Sequence, residues 1–182
     1  MANPDVLTRA RAARVLQFDV DGVLTDGTVL LHGDGTESKR FFIRDGTAVV
    51  LARRAGLKVG LISGRPSDAT LQRASQLEFD FVHQVSSSKI AAFEWVLASA
   101  GVPEAQVSYM GDDLIDVPLL TRAGFAAVPA DAVPEARQAA HWVSAFGGGA
   151  GAVRELVEFI LKSQGRWESA VGEYLADLAA QR

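Results

Sequence analysis

Short apolar runs rich in β-branched and aromatic residues alternate along the chain with stretches of helical period. "RVLQFD", "LKVGLIS", "FDFVHQ", "VSYMGDD" and "FAAV" are apolar and end near Gly or Asp, whereas "GTAVVLARRAG", "DATLQRASQL", "KIAAFEWVLASAG" and "DVPLLTRAG" carry the helical spacing. Strands alternating with helices of about ten residues predict βαβ units. The predicted fold class is therefore α/β: a doubly wound, mostly parallel sheet covered on both faces.

One stretch breaks the alternation. "TVLLHGDGTESKRFFIRDG" reads as two strands, Thr28 to Leu31 and Lys39 to Ile43, around a Gly- and Asp-rich loop. This predicts a β-hairpin flap, about residues 28–43, inserted between the first strand and the first helix. A lone hairpin is only marginally stable, so Val29, Leu31, Phe41 and Phe42 are expected to pack on something further, such as another subunit. Downstream, "GGGAGAVRELVEFILKSQG" opens a final amphipathic helix through glycines that permit close approach of another chain; a phosphate cradle at the helix start is the alternative. In the tail, about residues 166–182, Trp167, Val171, Tyr174, Leu175 and Leu178 follow helical spacing, the pattern of a face buried on the core.

At 182 residues the chain fits one domain, residues 1–182. A hydrophobic content of 48% against 22% charged residues is that of a globular protein. The net charge of −4, without a basic block, argues against nucleic acid as a partner. No cysteine is present, which removes disulfides and thiolate metal sites. The first residues lack a continuous apolar segment, and no run approaches the roughly 18 apolar residues of a spanning helix. The expectation is a soluble, cytoplasmic protein without a membrane partner.

In doubly wound sheets, ligands sit beyond the carboxyl ends of the strands. That rule selects Asp19 and Asp21 after the first strand, Ser63 after "LKVGLI", and Gly111, Asp112 and Asp113 after "VSYM", with Lys89 at the start of its helix able to reach the same edge. Carboxylates gathered at strand ends need compensation. Hard oxygen ligands without His or Cys suit Mg²⁺, with Asp19 and Asp112 as carboxylate ligands and the backbone carbonyl of Asp21 as a third. Taken singly, the same residues have plainer readings: a strand-end turn for Asp19 and Asp21, a helix cap for Ser63, a solvated charge for Lys89. Arg65 and Arg73 could pair with surface acids, and Arg44 with Asp45 could cap the first helix. His32, His83 and His141 are scattered and are assigned no chemistry.

"DVDG" at Asp19 to Gly22, Ser63 in "LISGR", Lys89, and "GDDLID" from Gly111 to Asp116 resemble, in order, the four motifs of the haloacid dehalogenase superfamily of phosphohydrolases. The resemblance implies a Rossmann-like fold in which Asp19 is the nucleophile that forms an aspartyl-phosphate. Asp21 would protonate the leaving alcohol and then activate water, while Ser63 and Lys89 hold phosphoryl oxygens. Asp113 would orient a water on the ion or Lys89, and Asp116 would stand behind the ligands or at a helix start.

The intervals between motifs leave room for the hairpin and helices only, so no cap domain is expected. "DVDGVLTDG", "FFIRDGTAV", "LISGRPSDATLQRASQL", "SSSKIAAF" and "GDDLIDVP" are similar to a capless branch, the 3-deoxy-D-manno-octulosonate 8-phosphate phosphatases. That similarity implies a Mg²⁺-dependent homotetramer acting on an acidic sugar phosphate in lipopolysaccharide precursor synthesis, with a neighbour's flap, and by resemblance the tail, near each site. It places substrate contacts on Asp21, Phe42, Ile43, Arg44, Asp45, Gly46, Val50, Arg65, Arg73 and Lys89. Val85 stands where the branch commonly has glycine, a departure that bears on substrate preference. The alternatives are a phosphatase for a nine-carbon, sialic-acid-like 9-phosphate, a phospho-accepting receiver domain, and a scaffold that has lost catalysis.

Overall fold

The structure is a computed structural model that describes residues 4–84 and 88–180; Val85 and its departure lie outside the described residues. The elements run α1 (Pro4–Ala12), β1 (Val15–Phe18), β2 (Leu30–Leu31), β3 (Glu37–Ser38), α2 (Ile43–Arg54), β4 (Lys58–Ser63), α3 (Asp68–Gln76), β5 (Phe81–Gln84), α4 (Lys89–Ala100), β6 (Val107–Met110), α5 (Val117–Leu120), β7 (Phe125–Val128), α6 (Pro134–Ala139), β8 (Trp142–Val143), α7 (Ala152–Ser163) and α8 (Trp167–Ala180).

Six strands form one parallel sheet in the order β5-β4-β1-β6-β7-β8. β1 lies inside it, with Val15–Phe18 in register with Lys58–Leu61 on one side and Val107–Met110 on the other. The chain winds outward from β1 in both directions, so the connections leaving β1, β4 and β6 part at their carboxyl ends and open a crevice there.

Alternation along the strands divides the core in two. Leu16, Phe18, Val59, Leu61, Met110 and Phe125 pack with Val49 and Ala52 of α2, Leu156 and Ile160 of α7, and Ala170 of α8. Val15, Ile62, Val107, Tyr109, Ala126 and Val128 pack on the opposite face with Phe93, Val96, Leu119, Leu120 and Ala136. Truncating a fully buried aromatic such as Phe18 would cost about 3–5 kcal/mol, and Phe18 immediately precedes Asp19. The sheet thus fixes where the first acid stands.

The hairpin is present but shorter than expected. Its strands are Leu30–Leu31 and Glu37–Ser38, antiparallel with Leu30 opposite Ser38. The predicted second strand, Lys39 to Ile43, does not form. Lys39 and Arg40 leave the ladder to pair with Asp21 and Asp26, Phe41 packs against the first core, and Ile43 already begins α2. No cap stands between β1 and β4 among the described residues, only this flap. Leu30 and Leu31 on it are 60% and 72% exposed.

Three elements had no clear pattern: α1, α6 and the edge strand β8, which has only two residues. The glycine loop before α7 is structural, but its close approach is within the chain. A Cβ at Gly148 would lie 1.9 Å from the carbonyl oxygen of Gly22, and Gly149 (φ +59°) donates its N–H to the Val23 carbonyl at 2.9 Å. In α8, Ala170 is buried and Trp167, Val171 and Tyr174 pack against the first core, whereas Leu175 and Leu178 remain exposed. The described tail therefore lies on its own chain, tied by Arg54 to Asp177 at 2.5 Å.

Candidate active site

Asp19, Asp21, Ser63, Arg65, Asp112 and Asp113, with Gly27, Gly64 and Ile115, line a crevice of about 320 Å³ at the carboxyl edge of the sheet. Lys89 lies at its base. Buried at the first turn of α4, its ammonium reaches Asp19 Oδ1 at 2.9 Å and Asp116 Oδ1 at 2.7 Å. Burial alone would lower the lysine's pKa, but Asp19 and Asp116 outweigh it and raise the value above the ordinary lysine range.

Asp116 is fully buried and saturated. Its Oδ1 accepts from Lys89 and from the Tyr109 hydroxyl at 2.6 Å, and its Oδ2 accepts the N–H groups of Asp112 and Asp113 at 2.9 and 3.2 Å. One carboxylate thereby orients the lysine and closes the turn after β6. Asp113, expected to orient Lys89, instead caps that turn by accepting the Leu114 N–H at 2.7 Å. Asp116 performs the expected orientation.

Asp19, Asp112 and Asp116 each bring a carboxylate oxygen within 4.8 Å of the others, close enough for one metal ion. Asp116 has its lone pairs committed, which leaves Asp19 and Asp112 as the acids that could hold one. Asp112 Oδ1 is buried without a hydrogen-bond partner. Burial first, then Asp116 and Asp113, push the Asp112 carboxyl up to about 7, and burial with Asp116 raises Asp19 against the pull of Lys89. A divalent cation between Asp19 and Asp112 would favour the ionised form of both and satisfy the free Asp112 oxygen. An oxygen-only donor set without His or Cys fits Mg²⁺. Gly22 (φ +90°) belongs to this arrangement, since a Cβ there would meet Asp112 Oδ2 at 2.0 Å.

The side chain of Asp21 is not part of that cluster. Both of its oxygens accept from the ammonium of Lys39, at 2.7 and 2.8 Å. Ser63, buried at the end of β4, donates to the Arg65 carbonyl at 3.0 Å and accepts the Arg65 N–H at 3.3 Å, fixing the turn beneath the crevice. The Arg65 guanidinium reaches across to Glu37 of the flap at 2.6 Å.

The other expected substrate contacts do not enter this crevice in the single chain. Phe42, Asp45, Gly46 and Arg73 line a narrow pocket with Leu24, Leu61, Thr70 and Phe79. Asp45 is buried and accepts the Arg154 N–H at 2.8 Å, capping α7, while burial pushes its carboxyl up to about 6. Val50 lies with Arg53 and Arg54 on another surface, Ile43 is exposed, and Arg44 sits over the Phe42 ring. Glu37, Lys39 and Tyr109 were not singled out. Glu37 and Lys39 stand two positions apart in "TESKR", an alternation that puts both on one side of an extended chain. Tyr109 gave only the signal of a phenol in an apolar strand, which needs a buried partner.

Residues 81–154 match the family described as haloacid dehalogenase-like hydrolase. The chain is 36% identical to 3-deoxy-D-manno-octulosonate 8-phosphate phosphatase of Salmonella typhimurium over 94% of its own length and 91% of the relative's. It belongs to the haloacid dehalogenase superfamily, in the capless branch of these phosphatases. The fold agrees: the crystal structure of the Yersinia pestis 3-deoxy-D-manno-octulosonate 8-phosphate phosphatase superposes with a TM-score of 0.89 at 38% identity, covering 91% of this chain and 89% of that one. The enzyme of that name from Moraxella catarrhalis, crystallised with magnesium ion, phosphate ion and a KDO molecule, superposes with a TM-score of 0.90 at 29% identity, covering 93% and 98%.

Proposed function

We propose that this haloacid dehalogenase phosphatase is a Mg²⁺-dependent phosphomonoesterase that hydrolyses 3-deoxy-D-manno-octulosonate 8-phosphate to the free sugar acid and inorganic phosphate. The observation that carries the reading is the buried Asp19–Lys89–Asp116 chain at the end of β1, open on its crevice side and flanked by the orphaned oxygen of Asp112.

Asp19 attacks phosphorus, forming an Asp19–phosphorus bond while the bond from phosphorus to the sugar oxygen breaks. Asp21 gives its proton to that departing oxygen. Water then adds to phosphorus, its proton passes to Asp21, and the bond to Asp19 breaks, releasing phosphate. Lys89 fixes the nucleophile and, with Ser63 and loop N–H groups, offsets charge on the phosphoryl oxygens. Ser63 must exchange its bond to the Arg65 backbone to do so. Asp19, Asp112 and the Asp21 carbonyl would hold Mg²⁺, which would supply positive charge opposite the two acids and the phosphate dianion. Arg65, the exposed cation of the rim, suits the substrate's carboxylate, because a guanidinium pairs with it in a fork.

Of the flap base, the Asp45 carboxylate is committed to α7, so Ile43 and Arg44 are the members free to meet a ligand. We place these, with Phe42, Gly46, Val50 and Arg73, at the rim of a site completed by a neighbouring copy. Apolar Leu30 and Leu31 on the exposed flap support a homotetramer in which the flap stands near a neighbour's crevice. The whole chain works as one phosphatase domain in the cytoplasm, where lipopolysaccharide precursors are made. The described helices include none long and apolar enough to cross a membrane.

Phosphate release from a panel of acidic and neutral sugar phosphates, with Mg²⁺ and with a chelator, tests the reading. Preference for the eight-carbon acid, lost on chelation, is expected. Preference for a nine-carbon 9-phosphate would replace the substrate, and a stable phosphoryl-protein without turnover would favour a receiver.

A further inference from the structure

The flap is pinned over the crevice by three ion pairs. Glu37 holds Arg65, Arg40 holds Asp26, and Lys39 holds Asp21. These are not equivalent. The Arg40 side chain is 84% exposed, so its pair stands in water and contributes little, and Arg65 is 43% exposed against a half-buried Glu37. The Lys39 side chain is 0% exposed, and its ammonium straddles both oxygens of Asp21. A lysine is buried only where its charge is answered, and here the answering group is the acid assigned to proton transfer.

We infer that Lys39 is a positioning residue for the acid–base step: through a two-point contact it fixes the plane of the Asp21 carboxyl, so that one oxygen can face the departing sugar oxygen. The inference rests on the proposed role of Asp21 and extends it to the flap. Glu37 and Arg40 meet Arg65 and Asp26, which take no part in the proton transfer; among the described residues of the flap, it is Lys39 that meets Asp21. Asp21 lies in the turn after β1, directly before the left-handed Gly22, and is itself not helical (φ −78°, ψ 117°), so it belongs to no regular element. Lys39 supplies the missing constraint. While Asp21 carries the proton, one oxygen holds the Lys39 ammonium and the other presents its O–H to the sugar oxygen; once the proton has left, both oxygens accept from the ammonium, and the carboxylate so held receives the proton of the attacking water.

The test is the dependence on leaving group. The ratio kcat/KM reports on steps up to cleavage of the phosphorus–oxygen bond, in which an alkyl phosphate needs a proton donor and p-nitrophenyl phosphate does not. The full chain with Mg²⁺ is assayed as wild type, Lys39→Met, Lys39→Arg and Asp21→Asn on both substrates. For Lys39→Met, a loss of about 10²-fold on the sugar-acid phosphate and less than about threefold on the nitrophenyl ester is expected, the scale of a misplaced general acid. Lys39→Arg, which keeps a charged donor, recovers most of the loss. Equal losses on both substrates, or no loss on the sugar phosphate, would overturn the inference. Asp21→Asn separates the two readings. If it discriminates between substrates and Lys39→Met does not, Lys39 alone is misassigned; if it does not discriminate, the acid role of Asp21 falls and the positioning role with it.

Discussion

The floor and the rim of the crevice are both built from acids paired with bases, yet they differ in what holds them. At the floor, Asp19, Lys89, Asp116 and Tyr109 are buried and attached to β1, the first turn of α4, and the turn after β6 and its last strand residues. At the rim, Glu37, Lys39 and Arg40 come from or follow a two-residue strand and meet Arg65, Asp21 and Asp26 in pairs that are mostly exposed. The proposed phosphoryl chemistry, which demands fixed distances, stands on the sheet; the proposed contacts with the remainder of the substrate stand on a short hairpin. Lys39 is the exception, a rim residue buried like a floor residue.

Variants separate the two regions. Asp19→Asn, which removes the nucleophile, should lower turnover by 10⁴-fold or more, on the order seen when a covalent catalyst is lost, while the fold stays intact by circular dichroism. Chelation should abolish turnover as well, and readdition of Mg²⁺ should restore it and raise the melting temperature, since an ion that binds only the folded chain stabilises it. Asp116→Ala strands Lys89 and Tyr109 without their shared acceptor, and breaking a buried pair costs about 3–5 kcal/mol; urea unfolding reads this as a lowered midpoint.

Asp45 tests a buried acid outside the crevice. Its folded pKa of about 6 lies above its ordinary 3.8. Its contribution is therefore fully present below pH 3.8 and is lost as pH rises through about 6. Asp45→Asn keeps an oxygen for the Arg154 N–H and cannot ionise. Its stability relative to wild type should improve by roughly 3 kcal/mol between pH 4 and pH 8, measured by urea unfolding at both. A difference independent of pH would contradict the assignment. The smallest effect belongs to the rim: Glu37→Gln frees Arg65, and an exposed pair is worth about 0.2–1 kcal/mol, so KM for the acidic substrate should fall by at most about fivefold with kcat unchanged.

The floor was legible in the sequence and the rim was not. Asp19, Ser63 and Asp112 were readable because each ends an apolar run, and strand ends share one edge whatever the loops do. Lys89 was readable from its place at a helix start. The partner of Lys89 was left open, with Asp113 set to orient a water on the ion or Lys89 and Asp116 behind the ligands or at a helix start, because the acids in "GDDLID" carry equal charge and only the turn decides which one points inward. In the flap, β-propensity placed the second strand on Lys39 to Ile43, whereas the ladder forms at Glu37–Ser38 and the following residues turn to two ion pairs and to the packing of Phe41 on the core. Tertiary contacts overrode local preference. Asp45 was named as a substrate contact by resemblance alone, and its bond to α7 was not legible because that helix lies more than a hundred residues away along the chain.

The most direct test asks which atom carries the phosphoryl group. In Asp21→Asn the base that breaks down the intermediate is gone, and p-nitrophenyl phosphate needs no acid to form it. Mixing the two with Mg²⁺, quenching in acid and sequencing the modified peptide by mass spectrometry should find one phosphoryl group, on Asp19. A phosphoryl group on any other residue, or none while nitrophenol is released, would contradict the account.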